Sequence, residues 1–459
     1  MITMSRGIFS HLATAAFAAL LGVSTAAADT PDYEQPPISY STTQPADDAA
    51  KMMQAVDRGQ VTLARDGEHG YLDAVLRELK IPPSSQTLVF SKTSFQRNII
   101  SPTRPRALYF NDDTYVGYVP GGDVIEIASV DPRIGTNFYT IDQSPAAPTP
   151  HIVRQTESCL QCHGESMTRG IPGLLVRSVF ADDRGDPILS AGTFLTTHES
   201  PLSERWGGWY VTGVTGSTQP HMGNTRWSER QGQQMPEPLS AQAGITSKTL
   251  PSDVDADRYL SPHSDVVALM VLEHQVEAHN RITRAAHGTL RALRDEQIMS
   301  DALGEPIKPG VHSDSTMRRI QSSCEPLVEY LLFANEAPLP EPIAGSASFA
   351  TEFAARGPRD SRGRSLRDFD LKTRLFRYPA SYLICSRAAD ELPALAKQYL
   401  HRRLWEVLNG KDMTKPFAHL TAADRTAIAQ ILRETKPDLR AAWEPLDQRA
   451  PTASRADRP

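Results

Sequence analysis

Residues 107–130 read Ala107-Leu108-Tyr109-Phe110-Asn111-Asp112-Asp113-Thr114-Tyr115-Val116-Gly117-Tyr118-Val119-Pro120-Gly121-Gly122-Asp123-Val124-Ile125-Glu126-Ile127-Ala128-Ser129-Val130. Three short runs rich in β-branched and aromatic residues, 107–110, 115–119 and 124–130, are separated by Asn-Asp-Asp and Pro-Gly-Gly-Asp. Such separators reverse a chain within a few residues, so the stretch predicts antiparallel, half-buried strands. The same texture extends from Thr87 to about Gly216, with further strands expected at 151–154, 174–180 and 209–214. Asp182-Asp183-Arg184-Gly185-Asp186-Pro187 predicts a hairpin turn between 174–180 and 188–194.

C-terminal to the strands, the pattern is irregular to about residue 262 and then changes period. Residues 263–297 predict an amphipathic helix with Ser264 as N-cap and Val267, Met270, Val271, His274, Ala278 and Ile282 on one face. Helical spacing recurs at 315–336, 392–408 and 422–434. N-terminal to the strands, a short helix is expected at 71–80, stopped by Pro82-Pro83. The predicted fold class is therefore α+β, an antiparallel-sheet domain at 61–250 followed by an α-helical domain at 263–448.

The first 28 residues have the three parts of a secretory signal peptide: Arg6 in a basic start, an apolar stretch from Leu12 to Val23, and Ala26-Ala27-Ala28 before a polar residue. Residues 29–60, with Pro31, Pro36, Pro37 and Pro45, read as a disordered leader, and 449–459 as a disordered tail. The mature chain is expected to be periplasmic or otherwise exported, with no integral membrane segment after signal removal. Forty-eight basic against 54 acidic residues, a net charge of −6, argue against nucleic acid as a partner.

The chemistry is concentrated in Ser158-Cys159-Leu160-Gln161-Cys162-His163-Gly164. Cys-x-x-Cys-His is the pattern of covalent haem c attachment. Two thiols three residues apart can each add to one vinyl group of a single macrocycle, while the adjacent imidazole lies against the iron. A zinc site would need two further ligands, and the sequence has no second Cys-x-x-Cys or His-x-x-x-His. A thioredoxin-like redox pair would open a helix in a parallel α/β unit, which the flanks do not offer. Export agrees with haem, since the attachment takes place outside the bacterial cytoplasm. One haem per chain is expected, bonded at Cys159 and Cys162 with His163 as proximal iron ligand.

The second axial position decides between electron carriage and ligand chemistry. Candidates are Met167, His198, His221, Met222 and His274, with His221 or His274 the expected distal ligand, although a histidine in an apolar stripe such as His274 also fits a core role. His279 falls off that stripe and is expected to face solvent. Arg177 and Arg205 are candidates for haem propionates, Trp206, Trp209 and Tyr210 for the ring or the sheet core. The loop cluster Arg356, Arg359, Arg362, Arg364 and Arg367 suits either an acidic redox partner or plain solvation. Cys324 and Cys385 are either a disulfide closing a loop of about 60 residues or two free thiols. No nucleotide-binding or hydrolase motif is present.

The runs 108–112 and 121–126, the haem motif, and Arg205-Trp206-Gly207-Gly208-Trp209-Tyr210 resemble a family of exported bacterial cytochrome c domain-containing proteins. Residues 366–370, Tyr378-Pro379 and Arg403-Leu404-Trp405 are similar to the same family, so the resemblance spans most of the mature chain. It implies haem, iron and electron transfer, and supplies no substrate. Residues 87–216 also resemble PAS-type or Cache-type sensor sheets. The expected function is single-electron transfer with a redox partner protein rather than substrate-specific catalysis; the alternatives are a haem-based sensor or small-ligand module, and a peroxidase-like enzyme.

Overall fold

The computed structural model describes residues 30–144, 150–216, 221–227 and 247–449. The expected signal peptide and all but the first residue of the expected tail lie outside these. The first six strands are β1 (Thr87–Val89), β2 (Arg106–Phe110), β3 (Thr114–Tyr118), β4 (Val124–Asp131), β5 (Gly135–Asp142) and β6 (Ile152–Gln155). Then come the hairpin β7 (Arg177–Val179) with β8 (Thr193–Leu195), and β9 (Trp209–Tyr210), β10 (Gly213–Val214) and β11 (Ala344–Gly345). One antiparallel sheet runs in the order β6-β5-β4-β3-β2-β1-β9, a meander closed on one edge by a late strand, while β10 pairs with β11. The turn at 111–114 is held by its own sequence: the Asn111 side-chain oxygen accepts from the backbone N–H of Asp113 (3.1 Å) and Thr114 (2.9 Å).

Period-two alternation divides the sheet between two cores. Ile125, Ile127, Val116, Tyr118, Tyr139 and Ile141 face a core completed by α1 (Asp48–Asp57) and α2 (Leu72–Glu78). Phe110, Tyr115, Ala128, Val130 and Phe138 face the other, shared with the C-terminal helices. Residues 30–60 are therefore folded, correcting the expected disordered leader. Tyr33, Ile38 and Tyr40 are buried, the Tyr40 hydroxyl donates to the Thr136 carbonyl at 2.9 Å, and Asp47 N-caps α1 while accepting from the Tyr139 hydroxyl at 2.8 Å. Aromatic anchors hold this proline-containing segment against the second face of β5.

After the short helix α3 (Leu160–His163), the helical part comprises α4 (Val266–Leu303), α5 (Asp314–Leu331), α6 (Phe349–Ala355), α7 (Arg387–Asp390), α8 (Ala394–Leu408), α9 (Ala422–Thr435) and α10 (Pro437–Arg449). Asp265, not Ser264, is the N-cap of α4, accepting from Val267 and Ala268 N–H, whereas Ser264 stitches the helix to the sheet through Tyr210 and Leu88. The expected one-sided amphipathicity is also corrected: every residue from Val266 to Thr283 is buried, His279 included. The sheet covers one side of α4 and α5, α6 and α8 cover others, so the expected boundary at 250–263 separates two sequence textures but not two cores. Cys324 and Cys385 are free thiols. No helix among the described residues is long and apolar enough to cross a membrane.

Candidate haem-attachment site

The motif follows edge strand β6 and forms one turn of helix. Cys162 and His163 N–H groups donate to the Cys159 carbonyl at 3.2 and 3.0 Å. Helical spacing at i, i+3 and i+4 brings Cys159, Cys162 and His163 onto one side of that turn, and buried Leu160 anchors the turn in the core. Cys159 is half-buried and Cys162 exposed, both with free thiols.

His163 is oriented by its backbone neighbourhood. Its Nδ1 lies 2.9 Å from the Gly173 carbonyl, which can only accept, so Nδ1 carries the hydrogen. That tautomer leaves the Nε2 lone pair for a metal. Gly173 N–H donates back to the His163 carbonyl at 2.8 Å, and the Phe138 ring packs at 4.8 Å between centroids. Burial holds the imidazole below its usual basicity, which favours the neutral, ligating form.

The loop carrying that carbonyl is itself held by α4. Asn280 accepts from Leu174 N–H at 3.0 Å and donates to the Leu174 carbonyl at 2.8 Å. A Cβ at position 173 would stand 2.5 Å from the Asn280 side-chain oxygen, and one at 164 would stand 2.6 Å from the Tyr33 hydroxyl, so both glycines permit close approach. On the sheet beneath, Arg106 of β2 pairs with Glu126 of β4, and Gln96 donates to Glu126 at 2.9 Å. Burial first, then the Glu126 charge, push the Cys159 thiol up to about 11; Arg106 and Glu126 also act on His163. These donors, two free thiols and an oriented imidazole, fit a covalently attached haem.

The distal candidates have other engagements. His274 is stacked between Tyr330 (5.4 Å) and Phe333 (4.5 Å), with Nδ1 2.7 Å from His198 Nδ1 and Nε2 2.7 Å from the Ser381 hydroxyl. Both its nitrogens and one of His198 are occupied inside the helical core. His221 accepts from Gly223 N–H at 3.1 Å and packs edge-on against Trp206 at 5.1 Å; its Nε2 is buried with no partner. Met222 lies in a small core with Phe180 and Ala191, and Met167 is exposed. Of the candidates, His198 and His221 each keep one buried ring nitrogen without a partner, and no hydrogen bond or ring contact joins either to the motif among the described residues.

Other expectations are redistributed. Arg205 is buried against Glu273 at 3.2 Å, whereas Arg106 lies near enough to the motif for its charge to act on His163. Arg177 bonds Thr193 at 3.1 Å on the β7–β8 hairpin. Trp206, Trp209 and Tyr210 are buried core residues. Within the arginine cluster, Arg359, Arg364 and Arg367 pair with Asp368, Asp360 and Asp112, which removes much of the free charge expected to dock a partner. Asp66, His69 and Asp73 bring ligand atoms within 4.8 Å of one another beside α2, a half-exposed group away from the motif.

Gly173, Asn280, Tyr33, Arg106 and Glu126 were not legible as site residues. Only Glu126 left a signal, a carboxylate on the same face of its strand as Ala128 and Val130, which turn into the core. No protein-family model, curated protein or solved structure matches this chain.

Proposed function

We propose that the protein is an exported monohaem c-type cytochrome that exchanges single electrons with a redox partner. The observation that carries this reading is the His163 Nδ1–H bond to the Gly173 carbonyl, which orients Nε2 beside two free thiols at Cys-x-x-Cys-His spacing. Cys159 and Cys162 would hold the macrocycle through thioether bonds, and His163 would be the axial ligand. When bound, the haem iron supplies the one-electron couple. The chain orients the imidazole through Gly173, fixes that carbonyl through Asn280, and places the Arg106–Glu126 pair near the site, where its charges bias the potential.

Absorbance after denaturation and acid–acetone extraction tests this. Haem that stays with the polypeptide in the unaltered chain and is released from a Cys159→Ala, Cys162→Ala variant is the expected result; extraction from the unaltered chain overturns it.

A second reading, a haem-based sensor or ligand-binding module on a PAS-like or Cache-like antiparallel sheet, is favoured by one observation. His274 and His198 are committed to each other and Met222 to its own small core, and no hydrogen bond or ring contact joins His221 to the motif among the described residues. A five-coordinate, high-spin ferrous spectrum that shifts with carbon monoxide favours this reading over electron carriage; a six-coordinate, low-spin spectrum favours the electron carrier. The peroxidase-like alternative gains no support, because no hydrogen bond or ring contact places His221 or His274, its candidate distal bases, beside His163 among the described residues.

A further inference from the structure

A cavity of about 200 Å³ opens where the β2–β3 turn, the loop after α6, the turn Tyr382–Cys385 and the end of α9 meet. It shares no residue with the haem-attachment site. Arg106 begins β2 and Asp112 lies two residues beyond its end at Phe110, so the two places are separated by the length of a five-residue strand, about 13 Å or more.

Three charged side chains line the cavity: Arg356, Arg367 and Asp112. The Arg367 guanidinium packs against the rings of Phe353 (4.6 Å) and Tyr382 (4.4 Å), pairs with Asp112 through one nitrogen, and its side chain is 8% exposed. Its Nη1 has no partner, and neither has Asp112 Oδ1. A donor and an acceptor, each without a partner and both shielded from water, are therefore fixed at one cavity. Leaving such groups without partners is unfavourable, a penalty that a ligand bonding both would relieve. Arg356 is exposed at the rim and forms no ion pair among the described residues.

The charge count selects the ligand. Asp112 and Arg367 neutralise each other, so Arg356 leaves the cavity with one uncompensated positive charge. A monoanion balances it, whereas a dianion such as phosphate would leave excess negative charge in a poorly hydrated place. The remaining wall includes Pro358, Leu366 and Ile431, which suit a short apolar stem. At roughly 30 Å³ per water-sized group the volume admits on the order of six heavy atoms. We propose that this cavity binds a small hydroxymonocarboxylate, its carboxylate on Arg356 and Arg367 and its hydroxyl donating to Asp112.

Calorimetric titration at constant ionic strength tests the assignment with sodium lactate, propionate, lactamide and inorganic phosphate. Lactate is expected to bind saturably, propionate several-fold more weakly, and lactamide and phosphate at least about tenfold more weakly; Arg356→Gln is expected to lower lactate affinity about tenfold, as loss of one charged hydrogen bond would. The proposal is overturned by absence of saturable lactate binding, by lactamide or phosphate binding as tightly as lactate, by propionate matching lactate, or by undiminished affinity in folded Arg356→Gln. The ligand series on the unaltered chain decides the matter whether or not the variant folds.

Discussion

His163 and His274 are both engaged histidines, yet they are built for opposite purposes. His163 has one nitrogen tied to a backbone carbonyl and the other left for a metal, at a half-buried position beside an exposed thiol. His274 has both nitrogens committed, to His198 and Ser381, and both ring faces covered by aromatics. One imidazole is oriented and the other is locked. An apolar stripe around a histidine therefore indicates a structural role, and it is the one-sided anchoring that marks a ligand.

The largest effects come from exchanging those roles. His163→Ala is expected to abolish the ligated haem spectrum while costing the fold only about 1–2 kcal/mol, since it removes one hydrogen bond at a half-buried site. His274→Ala is expected to do the reverse: about 3 kcal/mol or more lost in denaturant unfolding, from a cavity plus the stranded His198 and Ser381 groups, with the ferric and ferrous spectra unchanged. A spectrum altered by His274→Ala alone would break the comparison.

Acid sharpens it further. Burial pulls His274 down to about 3, so it is neutral in the folded protein at any pH where an unfolded histidine, near 6.5, begins to protonate. The unfolded chain then binds the extra proton, and the stability His274 contributes, complete above about pH 6.5, declines as pH falls toward 3. Asp113, raised to about 6, and Glu336, raised to about 7, act in the opposite direction by taking up protons in the folded state. The test is therefore a difference: between pH 6 and 4 the stability of His274→Gln should depend on pH less steeply than that of the parent by about 1.4 kcal/mol per pH unit. Equal slopes would show that His274 is protonated in the fold.

How far the sequence carried this reading differs between the two histidines. The strands 107–110, 115–119 and 124–130 appear within a residue or two of β2, β3 and β4 because alternation and turn residues are local signals. The Cys-x-x-Cys-His pattern is legible for the same reason, all of it lying within five residues. The setting of His274 is not, because His198, Ser381 and Tyr330 come from three distant segments. Burial of α4 from Val266 to Thr283 was invisible for a related reason: Glu273, Gln275 and His279 look solvent-facing until Arg205 and Tyr115 arrive from distant segments to satisfy them. The 30–60 segment misled through composition, since its prolines outweighed three aromatic and aliphatic anchors.

Asn280→Ala tests whether the orientation of His163 is held from a distance. The side chain makes two hydrogen bonds to Leu174 and is buried, so its loss is expected to cost about 1–3 kcal/mol and to loosen the Gly173 carbonyl. Haem should remain covalently attached while the spectral bands of the ligated iron broaden or shift.

The smallest effect distinguishes charge from anchoring at the same site. Arg106 pairs with Glu126 on the sheet beneath the motif and makes no hydrogen bond to His163, so Arg106→Gln should leave the imidazole in place. Stability should fall by about 1 kcal/mol, since Gln96 still satisfies one Glu126 oxygen. What changes is the local charge, from a balanced pair to one carboxylate. A lone negative charge near the iron stabilises the ferric over the ferrous state, so the midpoint potential is expected to move down with no change in the ligand bands. Arg106→Lys should restore it. If the potential of Arg106→Gln stayed fixed, the pair would be a structural tie of the sheet, like the pair Arg205–Glu273 in the core, and the contrast between an electrostatically tuned site and a sealed one would rest on His163 alone.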